Sequence, residues 1–213
     1  MGIQRSGILG PFRNKVGPAV GRHHMGQDLL LPLPHTSNKP PTPAQTEARL
    51  KFGLLNSFLK RIKLLVNVGF KAYVKHNSPV NEAYSYNADR AFVKDGDSFL
   101  INYPKMVYSR GHVVGPEGAQ VSSADGKITF SWQAQKQSAY CQYTDLGSFL
   151  VYHPVKDMAV ILQGKVNRYA QSFVIQLPVD FPGDKVHCYM SFASANGKLQ
   201  GDSLYVGELV VVA

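Results

Sequence analysis

The sequence predicts a mainly β protein with a helical N-terminal part, and three observations lead to this fold class. Short apolar runs separated by turn signals fill the chain after Ser98. One long amphipathic pattern precedes these runs, and a segment rich in glycine and proline precedes the pattern. We therefore expect an antiparallel β-sandwich of immunoglobulin or fibronectin type III character, preceded by an extended arm and one or two helices.

The composition is that of a folded chain. Of the 213 residues, 44% are hydrophobic and 17% are charged, and a chain of this length can bury a sizeable core. No apolar run approaches the roughly 18 residues that a transmembrane helix needs. No conventional secretory signal is visible, so we expect an intracellular or particle-associated location, with release from the cell only by a non-standard route.

Residues 1–41 are predicted to form a basic extended arm. Glycines at short intervals interrupt any helical pattern, and the segment is typical of short extended pieces joined by turns. Its few apolar residues cannot form a core by themselves. We therefore expect the arm to lie either on the C-terminal part of its own chain or on a neighbouring subunit.

Residues 42–95 are predicted to be helical. Thr42 fits the N-cap of a helix, Pro43 fits its first position, and Gln45 completes a capping box. Apolar residues then recur at steps of three and four, which predicts one amphipathic helix over residues 43–66 with a basic outer face. We expect this helix to dock against the sandwich.

A second, shorter helix is predicted to follow. Ser78 and Pro79 have the residue types of an N-cap and a first helical position. The pattern extends through Arg90 and carries Tyr84 and Tyr86.

Residues 96–213 are predicted to form the β-sandwich. Turn signals at Asp125-Gly126, 182–184 and Asn196-Gly197 separate runs with the residue types of strands. The runs are SFLINY, KMVYS, KITFSWQ, SFLVYH, DMAVIL, SFVIQL, DKVHCYMSFA and SLYVGELVVV. Strand number and spacing predict the sandwich, whereas Trp132 precedes Cys141 and so departs from the antibody pattern.

Two cysteines, Cys141 and Cys188, both fall in or near these runs. We expect two reduced, buried thiols, and a disulfide across the sandwich is the alternative.

No motif in the sequence frames an active site. The chain contains no GxSxG nucleophile elbow and no GxxxxGK[ST] phosphate loop. The pair His23-His24 has no spaced cysteines or second histidine pair that would complete a zinc site. We therefore predict a non-enzymatic protein without a metal or cofactor.

The positive charge is concentrated in the N-terminal third. The formal net charge is +9; residues 1–76 hold 12 basic and two acidic side chains, whereas residues 77–213 hold 11 basic and 12 acidic ones. Such a segment can neutralise phosphates of a nucleic acid. The candidate polyanion contacts are Arg13, Lys15, Arg22, Arg49, Lys60, Arg61 and Lys63.

Several motifs together resemble a known family. The N-terminus fits the pattern GILG-x-F-x-x-KVG-x-x-VG, and four further stretches continue the likeness along nearly the whole chain. These stretches lie at 41–45, 65–71, 103–111 and 191–207. The chain thereby resembles a family of uncharacterised Bacteroidota proteins known only as a domain of unknown function. The resemblance implies one recurring architecture and carries no activity or catalytic residues.

Together these features predict a structural subunit that assembles with copies of itself into a filament, tube or virion-type particle. An arm without a core can add a strand to the exposed sheet edge of a neighbour. The candidate subunit contacts are Ile8, Leu9, Phe12, Val16, Val20, Leu204, Val206 and Leu209. The alternative is a basic protein that binds or packages nucleic acid.

Overall fold

A computed structural model describes residues 3–4, 10–24, 26–34, 38–75, 77–96 and 98–212. The chain divides into two compact units, residues 1–43 and residues 44–213. Each unit has its own sheet structure.

The described part of the first unit contains four antiparallel strands that follow one another along the chain and across the sheet. They are β1 (Ile3–Gln4), β2 (Phe12–Val16), β3 (Ala19–His24) and β4 (Gln27–Pro32), in the order β1-β2-β3-β4. Gly17 and Gly26 lie in the turns between β2, β3 and β4 with φ of 56° and 81°, a conformation that glycine adopts without strain. The extended pieces predicted for this segment therefore pair with one another.

The second unit begins with helices. They are α1 (Pro43–Arg61), α2 (Lys63–Gly69) and α3 (Pro79–Asn87). The single helix predicted over 43–66 is wrong in two respects, because the helix is interrupted at Ile62 and then continues to Gly69. Ile62 has φ −104° and ψ 21°, and its side chain is completely buried. Ile62 stays in the core at the interruption, and its carbonyl oxygen accepts hydrogen bonds from the backbone N–H groups of Leu65 and Val66.

The start of α3 is confirmed and its end is earlier than predicted. The hydroxyl oxygen of Ser78 accepts a hydrogen bond from the backbone N–H of Asn81 at 3.3 Å, as expected for an N-cap. The helix ends at Asn87 rather than Arg90. The buried side-chain amide of Asn87 binds both backbone groups of Val107, at 2.8 and 2.9 Å, and so fixes this end of the helix against a distant segment.

Among the described residues, nine strands follow the helices. They are β5 (Phe92–Asp95), β6 (Ser98–Ile101), β7 (Gln120–Ala124), β8 (Lys127–Ser131), β9 (Leu146–His153), β10 (Met158–Asn167), β11 (Ser172–Gln176), β12 (Lys185–Ala193) and β13 (Leu204–Val210). Strands β5 and β6 form a hairpin. The others form a four-stranded antiparallel sheet in the order β10-β9-β12-β13 and a three-stranded one in the order β11-β8-β7.

The predicted strand KMVYS is wrong, and two strands were not predicted. Residues Tyr103–Lys105 form a 3₁₀ turn that includes Pro104, and the chain then runs irregularly with Met106 and Tyr108 buried. Strand β5 lies inside the segment predicted to be helical, and β7 is short and polar.

Two apolar cores cover the two faces of the four-stranded sheet. Leu150 and Tyr152 of β9 contribute to a core with the helices. Phe149 and Val151 of the same strand contribute to a core shared with the three-stranded sheet. Because side chains alternate along a strand, β9 is buried on both faces. The predicted mainly β class with N-terminal helices is confirmed.

Both cysteines are free and buried. Burial raises the pKa of Cys188 to about 12. Within the described ranges, no helix is both long enough and apolar enough to cross a membrane.

Candidate functional site

The outer strand β4 is the most exposed apolar element of the first unit. All six of its residues are exposed, and they include three consecutive leucines. Leu30 is 66% exposed and Leu31 is 42% exposed. Since β4 pairs only with β3 in the described sheet, its other edge has no strand partner there.

Both faces of this sheet carry apolar side chains. Val16 pairs with Ala19 and Val20 pairs with Leu31, and directly paired residues of an antiparallel sheet point to the same face. Val16 is 47% exposed. A single small sheet with apolar groups on both faces has no interior in which to bury them.

A small cleft lies beside the outer strand. It has a volume of 180 Å³, and its lining includes Phe12, Gly21, Leu29 and Leu30. The backbone of Phe12 passes so close to Gly21 that a Cβ atom at position 21 would lie 1.8 Å from the Phe12 carbonyl oxygen. Only glycine therefore fits at position 21, where the backbone of Phe12 lies against the wall of the cleft.

The structure places the candidate subunit contacts in different environments. Phe12 and Val20 are half-buried and Val16 is exposed, all three in the first unit. Leu204 is exposed on β13, whereas Val206 and Leu209 pack against the core between the two sheets of their own chain. Ile8 and Leu9 lie outside the described residues.

The candidate polyanion contacts are all exposed. Arg13, Lys15 and Arg22 lie on strands β2 and β3; Arg49, Lys60 and Arg61 lie on α1; Lys63 begins α2.

Arg61 differs from the other candidates because it forms an ion pair with a residue of its own unit. Its Nε donates to Oδ2 of Asp157 at 2.9 Å, and the Tyr152 hydroxyl donates to the other carboxylate oxygen at 2.9 Å. Burial and this hydrogen bond raise the pKa of Tyr152. Arg61 therefore joins α1 to the β9–β10 turn.

A group of titratable side chains joins the β9–β10 turn to the segment just before β12. His153 is completely buried; its Nδ1 accepts from the backbone N–H of Lys156 at 3.1 Å. The proton is therefore on Nε2, which donates to Asp184 at 2.9 Å. Hydrogen bonds from Lys156 and His153 hold the pKa of Asp184 below its ordinary value. These hydrogen bonds fix the β9–β10 turn against the segment before β12.

A protein-family model matches most of the chain, over residues 10–207. This range, which includes both compact units except their ends, matches DUF6266, a family of unknown function. The chain belongs to DUF6266. No curated protein matches.

One solved structure similar to a part of this DUF6266 chain is the spore cortex lytic enzyme SleM of Clostridium perfringens. The identity is 18%, the TM-score is 0.25, and the match covers 47% of this chain and 29% of that one. A TM-score this low supports no statement about fold or function.

The structure of this DUF6266 protein also contains a cleft that the sequence did not reveal. It has a volume of 390 Å³ and lies where α2, α3 and the segment after the 3₁₀ turn meet. Its lining consists of Phe70, Tyr73, Lys75, Glu82, Ser85, Tyr86 and Arg110. These residues are far apart in the sequence, and no motif connects them. Within the described ranges, no three His, Cys, Asp or Glu side chains are close enough to hold a metal ion.

Proposed function

We propose that this DUF6266 protein is a non-enzymatic structural subunit that assembles with copies of itself into a filament, tube or virion-type particle. The observation that carries this proposal is the outer strand β4, whose six residues are all exposed and include three consecutive leucines. A strand edge of this kind binds a further strand through backbone hydrogen bonds.

The energetic argument concerns the leucines. Complete burial of an exposed leucine side chain is worth about 1.5–3 kcal/mol. Leu29, Leu30 and Leu31 are 36%, 66% and 42% exposed, so each can gain only the corresponding part of this free energy. A second copy that covers β4 removes this surface from water. The apolar side chains of β4 are then buried in the interface between the two copies.

The edge of the four-stranded sheet is the proposed acceptor. β13 is the outermost strand on one side of that sheet, and its residues Leu204 and Val210 are 39% and 49% exposed. Pairing β4 of one copy with β13 of the next is a head-to-tail contact. Such contacts close into rings or continue as open filaments.

We also infer an immunoglobulin-like topology for β7–β13. In chain order, the first, second and fifth of these seven strands share one sheet, and the other four share the second sheet. In a constant-type immunoglobulin domain the fourth strand lies beside the fifth, whereas here it pairs with the third. The remaining strand order supports the inference.

Nucleic-acid binding or packaging is the second candidate function. Arg13, Lys15 and Arg22 are exposed on the first unit, and the ion pairs of the described residues do not include them. Free cations on one small sheet can neutralise phosphates.

The test compares Leu30→Asp with Val179→Asp, which places the same charge on a 98% exposed residue of the second unit. Light scattering after size-exclusion chromatography and negative-stain microscopy measure the assembly. We expect the wild type and Val179→Asp to form the same assemblies and Leu30→Asp to be monomeric. Equal assembly by all three proteins contradicts the role of β4. Assembly that requires added nucleic acid and is lost at high salt favours the second candidate.

A further inference from the structure

The cleft of 390 Å³ contains an arginine held between two aromatic rings. The guanidinium carbon of Arg110 lies 4.5 Å from the ring centre of Tyr73 and 4.1 Å from that of Tyr86. The backbone N–H of Arg110 donates to the carbonyl oxygen of Gly69 at 3.1 Å. Both the start and the end of the Arg110 side chain are therefore fixed.

Stacking leaves the hydrogen-bonding edge of a guanidinium available. Aromatic rings contact its flat faces, while its five N–H donors lie in the plane and match the geometry of a phosphate or carboxylate. A second guanidinium, that of Arg90, lies 4.3 Å from the ring centre of Tyr86. Two arginine side chains thus surround one tyrosine at the cleft.

The charges of the cleft do not cancel internally. The ion pairs found among the described residues include neither Lys75, Arg90 nor Arg110. The one carboxylate in the lining belongs to Glu82, which accepts from the side-chain amide of Asn77 at 3.3 Å. The lining itself has a charge of +1, from Lys75 and Arg110 against Glu82. Arg90 lies outside the lining and adds a further positive charge beside Tyr86.

We propose that this cleft binds a small ligand through a phosphate monoester. A phosphate monoester carries about −1.5 to −2 at pH 7 and has three strong acceptor oxygens, so it matches the charge and the donors better than a single carboxylate does. The volume of 390 Å³ lies in the range of small-molecule sites, which extends from about 300 to 1,000 Å³. The residues of this site belong to the second unit and include none of strands β4 and β13.

Isothermal titration calorimetry of the full chain at low salt tests the proposal with four probes. Inorganic phosphate, glucose 6-phosphate and adenosine monophosphate distinguish a free phosphate, a sugar phosphate and a nucleotide. Succinate tests whether carboxylates suffice. We expect glucose 6-phosphate or adenosine monophosphate to bind and succinate to bind more weakly.

Three variants test the site. Arg110→Gln removes the stacked guanidinium and should weaken binding about tenfold or more. Glu82→Gln removes the carboxylate and should strengthen binding, a gain that a loss of folding does not produce. Lys165→Gln removes an exposed lysine of β10 and should leave the affinity unchanged.

Each contrary result overturns the proposal. These results are the absence of binding by both phosphate monoesters, affinity for succinate equal to that for the monoesters, equal affinity of Arg110→Gln and Lys165→Gln, or weaker binding by Glu82→Gln. A failed titration with intact assemblies leaves the proposed function standing, since the two experiments measure different surfaces.

Discussion

The guanidinium of Arg168 lies 3.2 Å from the carboxylate of Asp145, and the two side chains are only 2% and 4% exposed. Nη2 of Arg168 also donates to the carbonyl oxygen of Val114 at 2.6 Å, and the guanidinium lies 4.0 Å from the ring centre of Phe192. The indole N–H of Trp132 donates to the backbone carbonyl of Arg168 at 2.8 Å. This buried pair joins three separate loops to the core.

Asp145→Asn should therefore destabilise the fold strongly. The substitution leaves the charge of Arg168 buried without its counter-ion, which typically costs about 3–5 kcal/mol. Denaturant unfolding followed by circular dichroism measures the change. Asp180→Asn is the control, because the exposed pair of Asp180 with Lys156 should contribute about 0–1 kcal/mol. Similar losses in both variants would contradict the role given to the buried pair.

Two glycines of the helices should respond to alanine in opposite directions. A Cβ atom at Gly69 in α2 would lie 2.5 Å from the carbonyl oxygen of Tyr108, whereas a Cβ atom at Gly53 in α1 meets nothing within 4 Å. Gly53→Ala should stabilise the protein by about 0.5–1 kcal/mol, because alanine favours the helix. Gly69→Ala should destabilise it through overpacking by about 1–3 kcal/mol. Thermal unfolding of both variants checks the signs, and an equal shift of the two melting temperatures would refute the packing argument.

Local chemistry accounts for the parts of the fold that could be predicted. Ser78 and Pro79 specify the start of α3, because the capping hydrogen bond joins Ser78 to Asn81, only three residues further on. The turn at Asp125-Gly126 has both residues at positive φ, as its residue types indicate. The interruption at Ile62 and the irregular path of Met106 follow from packing against distant elements. A pattern within one segment does not contain that information.

The two proposed sites also differ in how far the sequence could predict them. The exposed leucines of β4 belong to the basic N-terminal segment that the sequence singled out. The cleft around Arg110 was missed because Tyr73, Tyr86 and Arg110 come together only when the helices pack against the segment after the 3₁₀ turn. Charge counts by segment also missed it, since Arg90 and Arg110 lie in the nearly neutral remainder of the chain.

His187 should make stability depend on pH near neutrality. Its ring stacks on Tyr103 at 3.9 Å between ring centres, and its Nδ1 lies 3.1 Å from the hydroxyl of Tyr205. Burial lowers the pKa of His187 below 6.5, although Glu208 opposes this shift. The unfolded chain therefore takes up the proton first, and stability falls as the pH decreases below about 6.5.

The variant His187→Gln should lose less stability than the wild type between pH 7 and pH 5.5. Denaturant unfolding at several pH values measures the slopes. His112→Gln, at an exposed histidine, should keep the wild-type slope. The pKa values of the Asp184 and Glu208 carboxylates lie below their ordinary values of 3.8 and 4.5. These groups therefore change the stability only at a lower pH than His187 does. An unchanged slope in His187→Gln would show that His187 does not cause the pH dependence of stability.

The most direct test of self-assembly is the mass of the wild-type protein in solution. Light scattering coupled to size-exclusion chromatography, over a wide range of protein concentrations and at low and high salt, gives this mass and shows bound nucleic acid through its absorbance. The account predicts a multiple of 23.5 kDa that grows with concentration, persists at high salt and contains no nucleic acid. A mass of one chain at every concentration would contradict it.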